Sequence, residues 1–240
     1  MSANPPVRSV WMGRVDYDEA YKLQLSLLEG RQAGAIPDTL LLLEHSPVYT
    51  LGRRGGDEDL LVSSAELEST GAQVVWTDRG GQATYHGPGQ LVCYPIIDLR
   101  VGGLGPVTYV RQLEDVIIAV LSECGVEAHR VEGKTGVWTY GSTKLDLAPP
   151  LETGEEKIAA IGVRISRGVA MHGFALNLST DLARFDCIVP CGMPHVRMAS
   201  IQSICGEAPE MKRTASLVAG KFGLVFDRSV KSEKLGKLAA

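Results

Sequence analysis

The stretch from Lys157 to Leu178 constrains this chain more than any other. It holds two strand-like runs, Lys157–Ile165 and Val169–Leu178, with only Ser166-Arg167-Gly168 between them. That gap is the length of a tight antiparallel turn, so the two runs predict a β-hairpin.

The remainder reads as strands and helices without regular alternation. Asp16 or Asp18 caps a helix running toward Glu29, with Tyr17, Ala20, Tyr21, Leu25 and Leu28 on one stripe and Gly30 as its stop. Thr39–Glu44 reads as a strand apolar on both faces, followed by the basic, glycine-rich Gly52-Arg53-Arg54-Gly55-Gly56. Val74–Trp76 and Leu91–Ile97 read as strands, and Pro95 predicts an edge position or a bulge for the second. Thr108 opens a helix in which Val110, Leu113, Val116, Ile117, Val120, Leu121 and Cys124 fall at helical spacing, with Gly125 closing it. A last amphipathic helix starts near Thr214 and uses Leu217, Val218, the stem of Lys221 and Phe222. Hairpin-joined strands mixed with a few helices give an α+β class, a mixed, largely antiparallel sheet flanked by helices. With 240 residues, 45% of them hydrophobic and 22% charged, the expected unit is one domain over residues 1–240. Its core spans about 10–225, residues 141–156 form an insertion rich in turn formers, and 229–240 form a loose charged tail.

A formal net charge of −4, from 24 basic and 28 acidic side chains, excludes a whole-molecule attraction to nucleic acid or anionic membrane. An anionic partner must be met by a local patch. Charge interrupts every apolar run long before the ~20 residues of a membrane span. No secretory pattern opens the chain, and Cys93, Cys124, Cys187, Cys191 and Cys205 are odd in number and scattered. Both features predict reduced thiols in a cytoplasmic protein.

Four segments can carry chemistry. Arg79-Gly80-Gly81-Gln82-Ala83-Thr84-Tyr85-His86-Gly87-Pro88-Gly89-Gln90 is a glycine-rich loop feeding a strand. It either brings backbone N–H groups close to a ligand or is a structural turn, and it lacks the Gly-Lys-Ser/Thr ending of a phosphate loop. His86 is its candidate ligand-facing donor. In the hairpin, strict alternation aligns Lys157 with Ala159, Ile161, Val163 and Ile165 on one apolar face. Burial there lowers a lysine pKa toward neutrality and makes it a usable acid and base, unless its ammonium snorkels to water from the strand's first residue. Alternation also puts His172 with Phe174, Leu176 and Leu178, where a satisfied core histidine is the plainer reading. Cys191 lies between Pro190 and Gly192 in a turn that presents the thiol, whereas Cys93 and Cys124 lie inside apolar patterns. Cys187, Cys191 and His195 are spaced by four and four, but Pro190 and Pro194 prevent the helix that would align them as zinc ligands, so neither metal nor cofactor is expected.

Arg79–His86, Gly89–Tyr94, Lys157–Gly162, Met171-His172-Gly173-Phe174-Ala175-Leu176-Asn177 and Pro190-Cys191-Gly192, in this order, closely resemble the octanoyltransferases of lipoate biosynthesis, the lipoyl(octanoyl) transferase family. The resemblance runs from about residue 10 to 225. It implies the fold of biotin and lipoate protein ligases. It also implies transfer of octanoyl from acyl carrier protein to a lysine of apo lipoyl domains, on E2 subunits of 2-oxoacid dehydrogenases and on the glycine cleavage H protein. Matching the family's motifs makes Cys191 the thioester nucleophile and Lys157 the general acid and base. Around them it gathers Arg79, Gly80, Gly81, Thr84, Tyr85, His86, Gly87, Tyr94, Ala159, Ile161, Gly162, His172, Gly173, Ala175 and Gly192 as substrate-binding residues. Val189 stands where an asparagine is common in the family, and the 141–156 excursion looks longer than the family needs. An acidic carrier needs basic groups, for which Arg53, Arg54, Arg79, Arg164, Arg167 and Arg184 are candidates. The competing readings are an ATP-dependent lipoate or biotin protein ligase, an amidotransferase moving lipoyl groups, and a non-catalytic acyl- or carrier-binding module.

Overall fold

The computed structural model describes residues 5–140 and 154–234. In chain order it contains β1 (Val7–Val15), α1 (Tyr17–Gln32), β2 (Thr39–His45), β3 (Val48–Leu51), α2 (Ser64–Ser69), β4 (Gln73–Trp76), β5 (Ala83–His86) and β6 (Gln90–Asp98). Then follow α3 (Pro106–Glu123), β7 (His129–Val131), β8 (Lys134–Tyr140), β9 (Glu155–Ser166), β10 (Val169–Asn177), β11 (Arg197–Met198), α4 (Ile201–Cys205), α5 (Met211–Val225) and β12 (Val230–Glu233).

The main sheet runs β12-β1-β2-β6-β10-β9-β8-β7, with β11 beside β9, and a smaller sheet runs β4-β3-β5. From β2 through β7 the neighbours are antiparallel, while β1 lies parallel to both β2 and β12. The class is therefore α+β. Alternation along β2 sorts the two faces: Leu40 and Leu42 pack beneath α3 and α5, and Leu41 and Leu43 beneath α1. The stripe read on the third helix is buried as expected, with Leu113, Val116, Ile117, Val120 and Leu121 all fully covered. Each such side chain contributes about 1.5–3 kcal/mol relative to exposure. Among the described residues no helix is long and apolar enough to cross a membrane.

The hairpin forms as read. Ser166 pairs with Val169, and Arg167 and Gly168 make the turn with φ of +48° and +82°, the mirror-image turn that matches strand twist. Several expectations are corrected. Helix α1 continues through Gly30, and its chain reversal falls at Gly34 (φ +72°). Helix α3 begins at Pro106 behind Gly105, not at Thr108, because proline's missing N–H costs nothing in a first turn. The final helix starts at Met211, its N-terminus capped by the Glu210 carboxylate. Residues 230–233, read as loose tail, pair with β1 at the sheet edge. Glu155 and Glu156 belong to β9, and the expectation for 141–153 lies outside the described residues.

Two corrections concern the site directly. Pro95 sits in β6, a central strand, paired with Leu40 of β2. Its missing N–H falls where the β6–β10 ladder is interrupted, between the Ala170–Ile97 and Phe174–Cys93 pairs. Opposite that gap His172 adopts φ +56°, and its N–H donates instead to Gln24 Oε1 of α1 (2.9 Å). On β9 the register with β8 slips between Val137–Ala159 and Trp138–Lys157, which inserts one extra residue into β9 and breaks its alternation there. Both irregularities turn a polar side chain to a face that strict alternation denies it.

Candidate active site

A cleft of about 470 Å³, counted out to its open mouth, lies between β6, β9 and β10 below and the Arg79–Thr84 segment above. Cys191 stands on its edge in a single 3₁₀ turn, Pro190–Gly192, with φ of +55°. Backbone bonds hold that turn: Val189 N–H donates to Asp59 O (2.8 Å) and Met193 N–H to Pro190 O (3.0 Å). The main-chain groups of Val189 and Pro190 suffice for this, so valine at 189 is accommodated.

Lys157 reaches the thiol. Its Nζ lies 3.4 Å from Cys191 Sγ and 5.4 Å from the Trp138 ring centre, and its side chain is almost wholly buried. The extra residue in β9 makes this possible: Ala159 goes into the core with Val137 and Ile158, while Lys157 turns away from that core toward Cys191 at the cleft's edge. Lys157 makes no ion pair with any described residue; the neighbouring Glu156 is taken by Arg197 (2.8 Å).

Arg79 supplies a second buried cation. Its Nη2 donates to Thr50 O (2.6 Å) and Oγ1 (2.8 Å), and its Nη1 to Gly80 O (3.1 Å). These acceptors are neutral, so the guanidinium charge is uncompensated. Burial lowers its pKa, while the Cys191 sulfur raises it. The field at Sγ is therefore positive, the sign that suits an anionic nucleophile or an oxyanion. Gly80 N–H bonds Val163 O (3.0 Å), and a Cβ on Gly162 would lie 2.8 Å from Gly80 O, so only glycine lets this roof sit so low on β9.

The other end of the cleft is a box of rings. The Val15 carbonyl accepts from His45 Nδ1–H (2.8 Å), so His45 Nε2 accepts the Tyr94 hydroxyl (2.7 Å). Gln90 gives its amide hydrogens to Tyr85 O and Asn177 Oδ1, so its Oε1 accepts from His86 Nδ1–H (2.7 Å) and leaves His86 Nε2 as an acceptor. Burial pushes His86 down to about 3 and His45 to about 4, so both are neutral at pH 7. His172 Nε2 meets Asp78 Oδ1 (2.7 Å), and Asp78 also pairs with Arg164 and accepts from Tyr21 OH (3.0 Å). The hydrogen bond from His172 is the main cause of the lowered Asp78 pKa.

Most of the residues expected around the site meet in this cleft. The roof contributes Arg79, Gly80, Gly81 and Thr84; the floor contributes Tyr94, Ile161, Gly162, Gly173 and Ala175; His86 and His172 close the ring box. Four do not line it. Tyr85 turns into the small sheet's core against Tyr49 (5.1 Å) and Phe185 (5.7 Å), and Gly87 lies against the Tyr85 hydroxyl. Ala159 is in the main core, and Gly192 backs onto the Gln82 amide. Sequence reasoning left out Tyr17, Ala160 and Phe174 in the lining, and His45 and Asp78 behind it. Asp78 lies between Thr77 and Arg79 and His45 follows Glu44, so neither breaks an apolar pattern that would have announced it. Among the described residues no three His, Cys, Asp or Glu side chains are grouped to hold a metal ion, and Cys187 and His195 do not join Cys191 in one.

A half-buried cysteine with a buried lysine 3.4 Å from its sulfur stands at the edge of this cleft, and comparison with known proteins identifies the class. The family model described as "Lipoyl protein ligase A/B catalytic domain" matches residues 16–223. Octanoyltransferase of Acidobacterium capsulatum is 44% identical over 228 residues, covering 91% of this chain and 89% of that protein. Octanoyltransferase of Thermobifida fusca is 49% identical over 199 residues, covering 82% and 78%. A bipartite lipoate protein ligase from Thermoplasma acidophilum shares the fold, with a TM-score of 0.70 at 15% identity over 98% of this chain and 91% of that one. The chain belongs to the lipoyl protein ligase A/B catalytic-domain family, within the group of the octanoyltransferases. It is an acyltransferase.

Proposed function

We propose that this enzyme moves an octanoyl group from acyl carrier protein to a lysine amine of apo lipoyl domains through a thioester on Cys191. The acceptors are the E2 subunits of 2-oxoacid dehydrogenases and the glycine cleavage H protein, and the reaction opens endogenous lipoate biosynthesis in the cytoplasm. The observation that carries this reading is the 3.4 Å approach of a buried Lys157 Nζ to Cys191 Sγ at the edge of the cleft.

The Cys191 thiolate attacks the carrier thioester, and the tetrahedral intermediate collapses with loss of the pantetheine thiolate, which takes a proton from the Lys157 ammonium. Lys157, now neutral, accepts a proton from the incoming lysine amine as that amine attacks the octanoyl-Cys191 thioester. Cys191 leaves as thiolate and the cycle closes. Arg79 and the backbone N–H groups of the roof face the oxyanions. The octanoyl chain lies along Ala160, Ala175 and the ring box, where each methylene buried contributes about 0.8 kcal/mol.

The test is intact mass after mixing with octanoyl-acyl carrier protein without ATP, for wild type and Cys191→Ser. A hydroxylamine-labile octanoyl adduct on the wild type alone is expected. No adduct, with transfer restored by ATP and Mg²⁺, would replace this reading with an adenylating ligase.

A further inference from the structure

Six arginines are candidates for meeting an acidic partner, and their surroundings separate them. Arg79 is buried over Thr50, Arg164 is bound to Asp78 and Arg184 to Asp181 (3.4 Å), while Arg167, also exposed and without an ion pair among the described residues, sits in the β9–β10 turn rather than on the roof of the cleft. Arg53 and Arg54 differ. They occupy the two central positions of the Gly52–Gly55 turn, closed by Gly55 N–H to Gly52 O (2.8 Å). Both side chains are exposed, and neither guanidinium makes an ion pair or hydrogen bond with any described residue.

The turn is strapped to the roof of the cleft. Gly52, Arg53 and Arg54 donate their backbone N–H groups to the carbonyls of Gln82 (3.2 Å), Arg79 (3.0 Å) and Gly81 (3.1 Å). A Cβ on Gly52 would lie 2.5 Å from Gly81 O, so the turn rests directly on the roof. Gly81 lines the cleft with Cys191, and the Gln82 amide packs against Gly192. Trp76 lies beside the same turn: it pairs with Leu51, the residue before Gly52, and is 60% exposed. An exposed tryptophan beside two unpaired arginines has the composition of a binding hot spot. Asp57 and Glu58 follow on the same segment and are exposed, while Asp59 is turned inward onto Gly56 N–H (3.1 Å).

We propose that Arg53, Arg54 and Trp76 form the docking surface for the acidic carrier domain of the acyl donor. The assignment rests on the donor reading given above. A thioester at the end of a long flexible arm can reach Cys191 from a carrier seated on the roof. An acceptor lysine, on a single short side chain, has to be brought to the mouth of the cleft itself. The net charge of −4 opposes an acidic partner everywhere except at such a local patch.

The test compares wild type with the Arg53→Glu/Arg54→Glu double variant, both substitutions lying in an exposed turn. Three quantities are read: binding of the carrier protein by titration, acylation of Cys191 by octanoyl-carrier, and acylation by octanoyl-pantetheine, which has no carrier domain. The expected result is at least a tenfold weaker affinity and higher KM for the carrier-bound donor, a flatter salt dependence, and unchanged acylation by octanoyl-pantetheine. An unchanged carrier affinity and KM would overturn the proposal, as would a rise in KM for the lipoyl domain alone. Failure of wild type to be acylated by the octanoyl-carrier itself would sink the donor chemistry instead, and the carrier titration would still judge the surface.

Discussion

Gly136 of β8 holds the position of Lys157, and replacing it tests that placement. Its φ is +118°, and its N–H donates to the buried Glu114 carboxylate (3.1 Å). A Cβ there would lie 2.6 Å from Ala159 O and 2.6 Å from Lys157 Cε. Gly133, in the preceding turn, is a matched control: its φ is +75° and a Cβ would meet nothing within 4 Å. Alanine at 133 carries only the left-handed backbone cost, about 1 kcal/mol. Alanine at 136 carries about 1–3 kcal/mol for a backbone region essentially reserved to glycine, plus about 1–3 kcal/mol of overpacking. Ala159 O is fixed in the sheet, so Lys157 is the group that gives way. Gly136→Ala is therefore expected to destabilise by about 2–6 kcal/mol, against about 1 kcal/mol for Gly133→Ala, as read from urea midpoints. Displacing Nζ by about 1 Å should also slow single-turnover acylation of Cys191 roughly a hundredfold. Equal midpoints for the two variants would refute the packing argument. A destabilised Gly136→Ala that still acylates at the wild-type rate would refute the claim that β8 positions the lysine.

Lys157→Met should abolish transfer yet leave stability unchanged or raise it by about 1–3 kcal/mol in thermal or urea unfolding, because it removes a buried ammonium that has no carboxylate partner. The two histidines held near 4 and 3 are neutral in the folded state but charge in the unfolded chain below about pH 6.5. The unfolded state therefore binds more protons in that window, and stability should fall on acidification from pH 6.5 to about 4, by roughly 1 kcal/mol per histidine per pH unit. His86→Gln should reduce that slope in pH-resolved urea titrations, and an unchanged slope would count against the burial of His86. Ala160 and Ala175 face each other across the β9–β10 ladder on the floor of the cleft. Ala175→Val should move the preference of Cys191 acylation from octanoyl toward hexanoyl donors, and a uniform loss across chain lengths would show that this alanine does not set length.

Where the fold was legible, the signal was periodic and long. The β9–β10 hairpin and the stripe on α3 follow from patterns repeated over many residues, and both stand where expected. Cys191 and Lys157 drew notice because Pro190-Cys191-Gly192 cannot be helix or central strand and because a lysine opens an apolar strand, and the structure brings the two within 3.4 Å. The failures share another cause. Pro95 read as an edge position or a bulge, since proline removes a ladder donor; it sits in a central strand, at a ladder gap opposite His172 at φ +56°, which no local pattern announces. Strict alternation misplaced Lys157, which one extra residue in β9 turns away from the face of Ala159, Ile161, Val163 and Ile165. Strands β3 and β5 are four residues each and β12 is a short charged edge, so none repeats long enough to be seen. Tyr17 read as core stripe, and it is buried, but its hydroxyl bonds Thr77 (2.8 Å) at the cleft wall.

These irregularities bear on the proposed use of a lysine, in a site that already holds imidazoles, to serve the cysteine. His86 and His172 line the cleft and His45 backs it, and burial lowers the pKa of all three. Two of them spend an Nδ1 proton on fixed acceptors and the third faces the Asp78 carboxylate, so they shape the wall of the slot as neutral groups. A neutral imidazole fixed in this way cannot protonate a leaving thiolate. In the proposed mechanism that task falls to Lys157, whose Nζ the extra residue in β9 carries to 3.4 Å from Sγ. In the proposed mechanism Arg79 stays cationic whichever form Lys157 takes, so the field at the oxyanion persists through both half-reactions. On that proposal the site divides two tasks between its cations: one moves a proton, and the other holds charge.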